Sequence, residues 1–165
     1  MNVVHNLKRF SAGALACVFT FLVIITGLPT ASAAADSQGT AYTQELGDGY
    51  TAEVIISVDP SLTRDTTKTA HATSTIRDSS GNWVATITLH ATFMYNGITA
   101  GVTGTTYSKS LASGWSYTNH KITSSEVSTS NGADATLTAN LRKFLSNVPI
   151  NISVHCSPKG VITYR

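Results

Sequence analysis

Cysteine is scarce in this chain, which contains only Cys17 and Cys156 among its 165 residues. Cys17 falls in an apolar N-terminal run that we expect to be removed, so no intramolecular disulfide is predicted in the remaining chain. Cys156 continues the apolar face of a predicted strand, which favours a buried and inert thiol. The alternative is an intermolecular disulfide, which an unpaired cysteine in an exported protein suggests.

Charge is also scarce, because Asp, Glu, Lys and Arg make up 12% of the chain. The whole chain has a net charge of +2, but removal of Lys8 and Arg9 leaves nine basic residues against nine acidic ones. Without a basic surface to contact phosphates, neither nucleic acid nor the membrane is a predicted partner of the mature chain. The abundance of Ser and Thr is typical of an extracellular β-protein with hydroxyl-rich outer faces.

Residues 1–33 have the three parts of a secretory signal peptide. Lys8-Arg9 is the positive region, Gly13 to Leu28 is the apolar run, and Ala31-Ser32-Ala33 is the small-residue cleavage site. We therefore expect a signal-peptide helix that is cleaved after residue 33, and a secreted, extracellular product. The alternative is an uncleaved membrane anchor, against which the cleavage site and the helix-ending Pro29 argue.

The rest of the chain divides into a short polar segment and one domain. Residues 34–49 are predicted to be a flexible mature N-terminus, with a short strand at Thr40 to Leu46 as an alternative. Residues 50–165 are predicted to form a single β-sandwich domain. Its clearest strand is Trp83 to Tyr95, in which apolar residues alternate with polar ones and Trp83 is expected in the core. The following Asn96-Gly97 predicts a two-residue hairpin turn that pairs Tyr95 with Ile98.

Turn signals at regular intervals separate about seven to eight short strands, and no long helical period follows residue 33. Thr69 to Arg77 is predicted to be an outer strand, and Ser108 to Gly114 a loop. Ala133 to Leu145 fits either a strand or a helix, although its threonines favour a strand. This pattern predicts an all-β fold, an antiparallel β-sandwich that is immunoglobulin-like in architecture. The paired cysteines of immunoglobulin domains are missing, so the label concerns architecture only.

No catalytic residue, cofactor or metal ligand is predicted from the motifs. The histidines after residue 33 form no metal-binding pattern, although His90 and His155 lie on polar strand faces and would meet if their strands were neighbours. No G-x-S-x-G motif and no paired carboxylates indicate hydrolysis, so a protein that is not an enzyme is favoured. Trp115 and Tyr117 are the candidate ligand-facing aromatic residues, and core packing is their alternative role.

Short motifs give the chain a resemblance to known exported proteins. They are Tyr95-Asn96-Gly97 after an alternating A-T-F, the Ser-Asn-Gly turn at 130–132, and the H-C-S-P-K-G stretch at 155–160. With these motifs the chain resembles small secreted β-rich proteins of Gram-positive bacteria whose function is uncharacterised. The resemblance implies export and a β-fold, and it carries over no catalytic or binding residue.

Three functions remain open at this point. The first is a non-catalytic extracellular binding module that recognises a protein or glycan partner. The second is a self-assembling cell-surface or matrix component, which low charge and exposed strand edges would favour. The third is a small secreted hydrolase or toxin, which would need a pocket of titrating groups that the sequence does not locate. The oligomeric state is not predicted.

Overall fold

The computed structural model describes residues 40–60 and 66–165, and every regular element among them is a β-strand. The predicted signal peptide and residues 34–39 lie outside the described residues. The strands, in chain order, are β1 (Thr40–Gly47), β2 (Tyr50–Val58), β3 (Thr67–Arg77), β4 (Trp83–Tyr95), β5 (Ala100–Leu111), β6 (Ser116–Ser124), β7 (Ala133–Lys143), β8 (Ser146–Cys156) and β9 (Ile162–Tyr164).

The strands form two antiparallel sheets, one of β1 to β5 and one of β6 to β9. The prediction of an all-β, two-sheet fold is confirmed. In both sheets the strands follow chain order, so each sheet is a meander. An immunoglobulin domain instead exchanges strands between its sheets. The described strands share with that fold the arrangement in two antiparallel sheets, and their connections differ from it.

The core lies between the sheets and consists of alternate residues from both of them. In β2, β4, β7 and β8 one face is buried and the other is polar, because side chains of a strand point alternately to its two faces. Large side chains such as Phe93, Leu89, Leu137 and Ile152 are fully buried. Buried alanines lie between them, and this mixture of sizes lets the two inner faces interdigitate: Ala52, Ala70, Ala72, Ala85, Ala91, Ala100, Ala133, Ala135 and Ala139.

The predicted burial of Trp83 is wrong. A β-bulge shifts the register at the start of β4, so that Arg77 faces Trp83 while Ile76 faces Ala85. The bulge turns Val84 and Ala85 both into the core and leaves Trp83 39% exposed. The indole N–H of Trp83 donates to Thr86 Oγ1 at 3.0 Å on the outer surface.

The predicted pairing of Tyr95 with Ile98 is also wrong, because Tyr95 pairs with Ala100. Asn96 Oδ1 accepts hydrogen bonds from the backbone N–H groups of Ile98 and Thr99, at 3.0 and 2.8 Å, and these bonds close a longer turn. Gly97 has a φ of 89°, whereas a type I′ turn would need positive φ at Asn96 as well.

Other strand predictions have mixed outcomes. Ala133–Lys143 is a strand, which confirms the favoured reading of that segment. The alternative strand near residue 40 is present as β1, so the sheet begins before the predicted domain start at residue 50. The expected outer strand, β3, is central in its sheet, and the expected loop after Tyr107 is wrong up to Leu111, where β5 ends.

The meander order places alternate connections at the same end of each sheet. Residues 48–49, 78–82, 112–115 and 144–145 connect strands at one end, which we call the tip end. The Tyr50 and Trp115 rings meet edge to face at this end, with centroids 5.7 Å apart, so the tip ends of the two sheets adjoin. Within the described residues we find no helix that has the length and apolar character to span a membrane.

Candidate functional site

The connection between β7 and β8 carries two large apolar side chains that no described residue covers. Lys143 pairs with Ser146 across the hairpin, so Phe144 and Leu145 form a two-residue turn. Their exposures are 99% and 102% of the reference surface, the highest among the exposed large apolar residues. We call residues 142–147 the β7–β8 tip. Two adjacent apolar residues that project fully into water are unusual on a surface with no binding role.

Phe144 also occupies a backbone conformation that suits other residues better. Its φ is 50°, in the left-handed region. An L-residue with a Cβ is strained there by about 1–2 kcal/mol, and glycine and asparagine are the usual occupants. Because the Phe144 side chain buries no surface, folding offers no compensation for this strain. Strained residues without a folding benefit concentrate at functional sites, so the tip is the leading candidate site of this chain.

The base of the tip is held by packing and by a hydrogen bond from β6. Lys143 Nζ lies 5.9 Å from the Trp115 ring centroid, within the range of a cation–π contact. Ser116 Oγ donates to the Arg142 carbonyl at 3.2 Å. Trp115 is half-buried, and its ring contacts Tyr50 from the other sheet. The apolar turn therefore stands on a braced hairpin, and Arg142 and Lys143 place positive charge beside it.

The turn between β3 and β4 adds a carboxylate to the same end. Hydrogen bonds from Asn82 and Ser80 lower the pKa of Asp78, and the positive charge of Lys143 makes a smaller contribution in the same direction. Asp78 is thus ionised and engaged within its own turn. The half-exposed Trp83 follows that turn. The tip end combines exposed apolar surface with the basic side chains of Arg142 and Lys143 and the carboxylates of Asp48 and Asp78.

Of the two aromatic residues predicted to face a ligand, Trp115 lies near the tip and Tyr117 lies elsewhere. Tyr117 is on β6, where its ring lies 5.6 Å from that of Tyr107 and stacks on His120 at 5.5 Å. Lys109 Nζ covers the Tyr117 ring at 4.4 Å. Burial, and to a lesser extent Tyr107, raises the pKa of Tyr117 to about 12. This cluster packs β5 against β6, and Tyr117 and Trp115 both contact the core.

A cleft of about 400 Å³ with both polar and apolar lining residues lies beside β1. β1 contributes Gln44, Glu45 and Leu46, β6 contributes Asn119, and β7 and β8 contribute the other lining residues. Asn140 and Asn151 add two further amide groups. Amide groups that both donate and accept hydrogen bonds suit a ligand rich in hydroxyl groups.

Cys156 lies in the core with no exposed surface. The alternation of apolar residues along this strand, which includes Val154, predicted this position. Burial raises the pKa of the Cys156 thiol to about 11, so the thiol is protonated at neutral pH and weakly nucleophilic. The interpretation of an inert thiol agrees with this position. An intermolecular disulfide through Cys156 would require β8 and its neighbours to open.

His155 and His90 lie in different sheets, so their strands are not neighbours and the two histidines do not meet. His155 Nδ1 instead contacts Asp134 Oδ1 at 2.8 Å, and Arg165 donates to the other carboxylate oxygen at 2.6 Å. The partner of His90 is His71, which the sequence did not single out. In the part of the chain that the structure describes, no group of three or more His, Cys, Asp or Glu residues converges on a common point.

Comparison with known proteins found no match for this chain among family models, curated proteins or solved structures. The tip was not predicted from the sequence, because the alternation was followed up to Leu145 as one strand or helix. A usable signal was present: two large apolar residues directly precede Ser146-Asn147, a polar pair typical of a turn. Moving that turn two residues earlier would have placed both of them in water.

Proposed function

We propose that this protein is a secreted, non-catalytic extracellular binding module that engages a partner protein through the β7–β8 tip. Full exposure of Phe144 and Leu145 on a braced hairpin is the observation that carries the proposal. The secretory signal predicted at residues 1–33 supports an extracellular site of action. The immunoglobulin-like label belongs to this proposal as well, in the sense of a sandwich that presents its binding residues at the end of the strands.

The chemistry of the tip defines the partner. Full burial of Phe144 and Leu145 would contribute about 3–6 kcal/mol in total, so an apolar pocket is the required receptor. Arg142 and Lys143 flank the turn, and an acidic rim around that pocket would be complementary to them. A hairpin tip alone is smaller than the roughly 1,000 Å² of a specific interface. Trp83 and the connection at 112–115 are the neighbouring surfaces that would complete it.

Site-specific photocrosslinking tests this proposal. A photoreactive amino acid replaces Leu145 in one variant and Ile98 in another, because Ile98 is also exposed but lies at the opposite end of the strands. Crosslinked extracellular proteins are identified, purified and assayed for direct binding. We expect a protein captured from position 145 alone, which binds the original chain and fails to bind the Phe144→Asn/Leu145→Asn double variant.

Three results would overturn the proposal. The first is equal binding of the purified partner to the double variant. The second is identical capture from positions 145 and 98. The third is tip-dependent binding to phosphatidylglycerol vesicles without any protein partner, which would identify the receptor as a lipid surface. Circular dichroism of each variant verifies that the sandwich is intact.

A second candidate function is glycan binding in the cleft beside β1, which its amide-rich lining favours. Soluble peptidoglycan fragments provide the probe, and calorimetry provides the measurement. Binding that is lost in Gln44→Ala/Asn140→Ala and retained in Phe144→Asn would support the cleft. Binding that survives the double substitution in the cleft would exclude it.

A further inference from the structure

His71 and His90 face each other on the outer surface of the five-stranded sheet. They are direct cross-strand partners in β3 and β4, and both side chains are partly exposed. A hydrogen-bonded pair of threonines lies on either side of them along the strands: Thr69 with Thr92 and Thr73 with Thr88. The two imidazoles are therefore fixed in a polar, water-accessible row on a rigid sheet.

Each imidazole is held from behind by an oxygen atom. His71 Nε2 lies 2.9 Å from Asp59 Oδ1, and His90 Nε2 lies 3.3 Å from Ser108 Oγ. The remaining ring nitrogens, both Nδ1, point at each other across 2.6 Å. Because the Asp59 carboxylate only accepts hydrogen bonds, His71 donates from Nε2 and offers the lone pair of Nδ1. His90 must then donate its Nδ1 proton to His71 when no other atom lies between them.

We propose that His71 and His90 bind one divalent transition-metal ion through their Nδ1 atoms, Cu²⁺ in preference to Zn²⁺. Water would occupy the other coordination positions. On binding, the neutral His90 changes tautomer: its Nδ1 proton leaves to solvent, a proton from solvent adds to Nε2, and Nε2–H then donates to Ser108 Oγ. The Ser108 hydroxyl proton turns to water, and the contact between Asp59 and His71 is unchanged.

The distance between the two Nδ1 atoms favours copper. With bonds of about 2.0 Å, adjacent positions of a tetragonal Cu²⁺ ion lie about 2.8 Å apart, whereas two positions of a tetrahedral Zn²⁺ ion lie about 3.3 Å apart. From 2.6 Å the rings must separate slightly for Cu²⁺ and more for Zn²⁺. The Irving–Williams order of affinities also places Cu²⁺ above Zn²⁺. Mg²⁺ and Ca²⁺ prefer oxygen ligands, so imidazole nitrogen is a poor ligand for them.

The oxygen atoms behind the rings are those that metal-binding histidines commonly have. A ligating histidine usually donates its second ring N–H to a carboxylate, carbonyl or hydroxyl group, which fixes its tautomer and raises its basicity. Asp59 does this for His71, and Ser108 is positioned to do it for His90. Burial, and then the neighbouring His71, lowers the pKa of His90, which agrees with a neutral imidazole at neutral pH.

A series of hydrogen-bonding contacts runs through Asp59, His71, His90 and Ser108. It resembles the hydrogen-bonded relay that activates a serine nucleophile in a hydrolase. Such chemistry depends on fixed donors for an oxyanion in a site that excludes water. Ser108 and its neighbours on the same face, Thr106 and Ser110, are all exposed. We therefore assign Ser108 a positioning role behind His90.

Electron paramagnetic resonance of the mature chain titrated with Cu²⁺ tests the site. We expect one bound ion per chain, with hyperfine splitting from two imidazole nitrogens. In NMR spectra of the unmodified chain, the ring signals of His71 and His90 should broaden before those of His120 and His155. This second measurement requires no variant, so it decides the question even if a substitution prevents folding.

Variants separate this site from incidental binding by histidine. His71→Gln/His90→Gln should abolish the two-nitrogen signal, and Asp59→Asn should weaken Cu²⁺ binding by about 10- to 100-fold. His155→Gln is the matched control, because His155 also contacts a carboxylate, and it should leave binding unchanged. Unchanged affinity in the double variant, or a signal from a single nitrogen, would overturn the proposal. Tighter binding of Zn²⁺ than of Cu²⁺ would overturn the stated preference.

Discussion

Replacing Phe144 with asparagine should stabilise the protein although it removes a large apolar side chain. Phe144 has a φ of 50° and is 99% exposed, so the substitution relieves backbone strain and forfeits no burial. Left-handed conformation costs most L-residues about 1–2 kcal/mol, and asparagine tolerates it better. We expect a gain of about 0.5–1 kcal/mol in the free energy of unfolding, or roughly 2–4 °C in Tm for a domain of this size.

Urea denaturation followed by circular dichroism measures this change. Leu145→Asn is the matched control, because it removes an equally exposed apolar residue that does not have positive φ. The control should change stability by less than about 0.5 kcal/mol. A loss of more than about 0.5 kcal/mol in Phe144→Asn would mean that the ring is buried against something in the native protein, and would refute the reasoning.

Three further predictions concern the core and its edges. Gly132→Ala should lower the free energy of unfolding by about 2–4 kcal/mol, because φ at Gly132 is 90° and a Cβ there would lie 2.6 Å from the Cys156 carbonyl oxygen. Gly104 has open space around it, so Gly104→Ala should leave the free energy of unfolding nearly unchanged in the same urea assay. Tyr117→Phe should not destabilise the fold, since the described residues offer its buried hydroxyl no hydrogen-bond partner; a clear loss in Tm would reveal one. The free energy of unfolding should fall as pH rises from about 9 to 12. Burial raises the pKa of Cys156 to about 11 and that of Tyr117 to about 12, so both groups ionise in the unfolded chain at a lower pH than in the folded one. In alkaline titrations, Cys156→Ala should remove the part of this loss that occurs at lower pH.

The sequence predicted the architecture well because the alternation of apolar and polar residues is a direct consequence of strand geometry. β7 and β8 alternate almost without exception, and both are strands. Predictions failed where one side chain or one extra residue decides the local structure. Asn96 lengthens its turn through its own side chain, and a bulge turns Trp83 outward. Neither effect changes the hydrophobic period, so neither is visible in it.

The candidate sites were missed for a related reason. The tip depends on where a two-residue turn begins. Moving that turn by two residues takes two side chains out of a strand and places them in water. The strain at Phe144 is a property of its backbone φ angle, which a sequence pattern does not reveal. Phe144 and Leu145 carry no charge and belong to no motif, so composition could not single them out either.

That His71 and His90 lie on the same face of the sheet, in contrast, could have been predicted from alternation. Inward-facing residues have even numbers in β3, such as Ala72 and Ile76, and odd numbers in β4, such as Ile87 and Leu89. Directly opposite residues of antiparallel strands share a face, so an inward residue must pair with an inward one. A regular hairpin centred on Gly81 or Ser80 would pair even numbers with even ones and set core residues against the outer face. Alternation therefore requires a register that pairs odd numbers with even ones, and the observed register, with its bulge at the start of β4, brings His71 directly opposite His90.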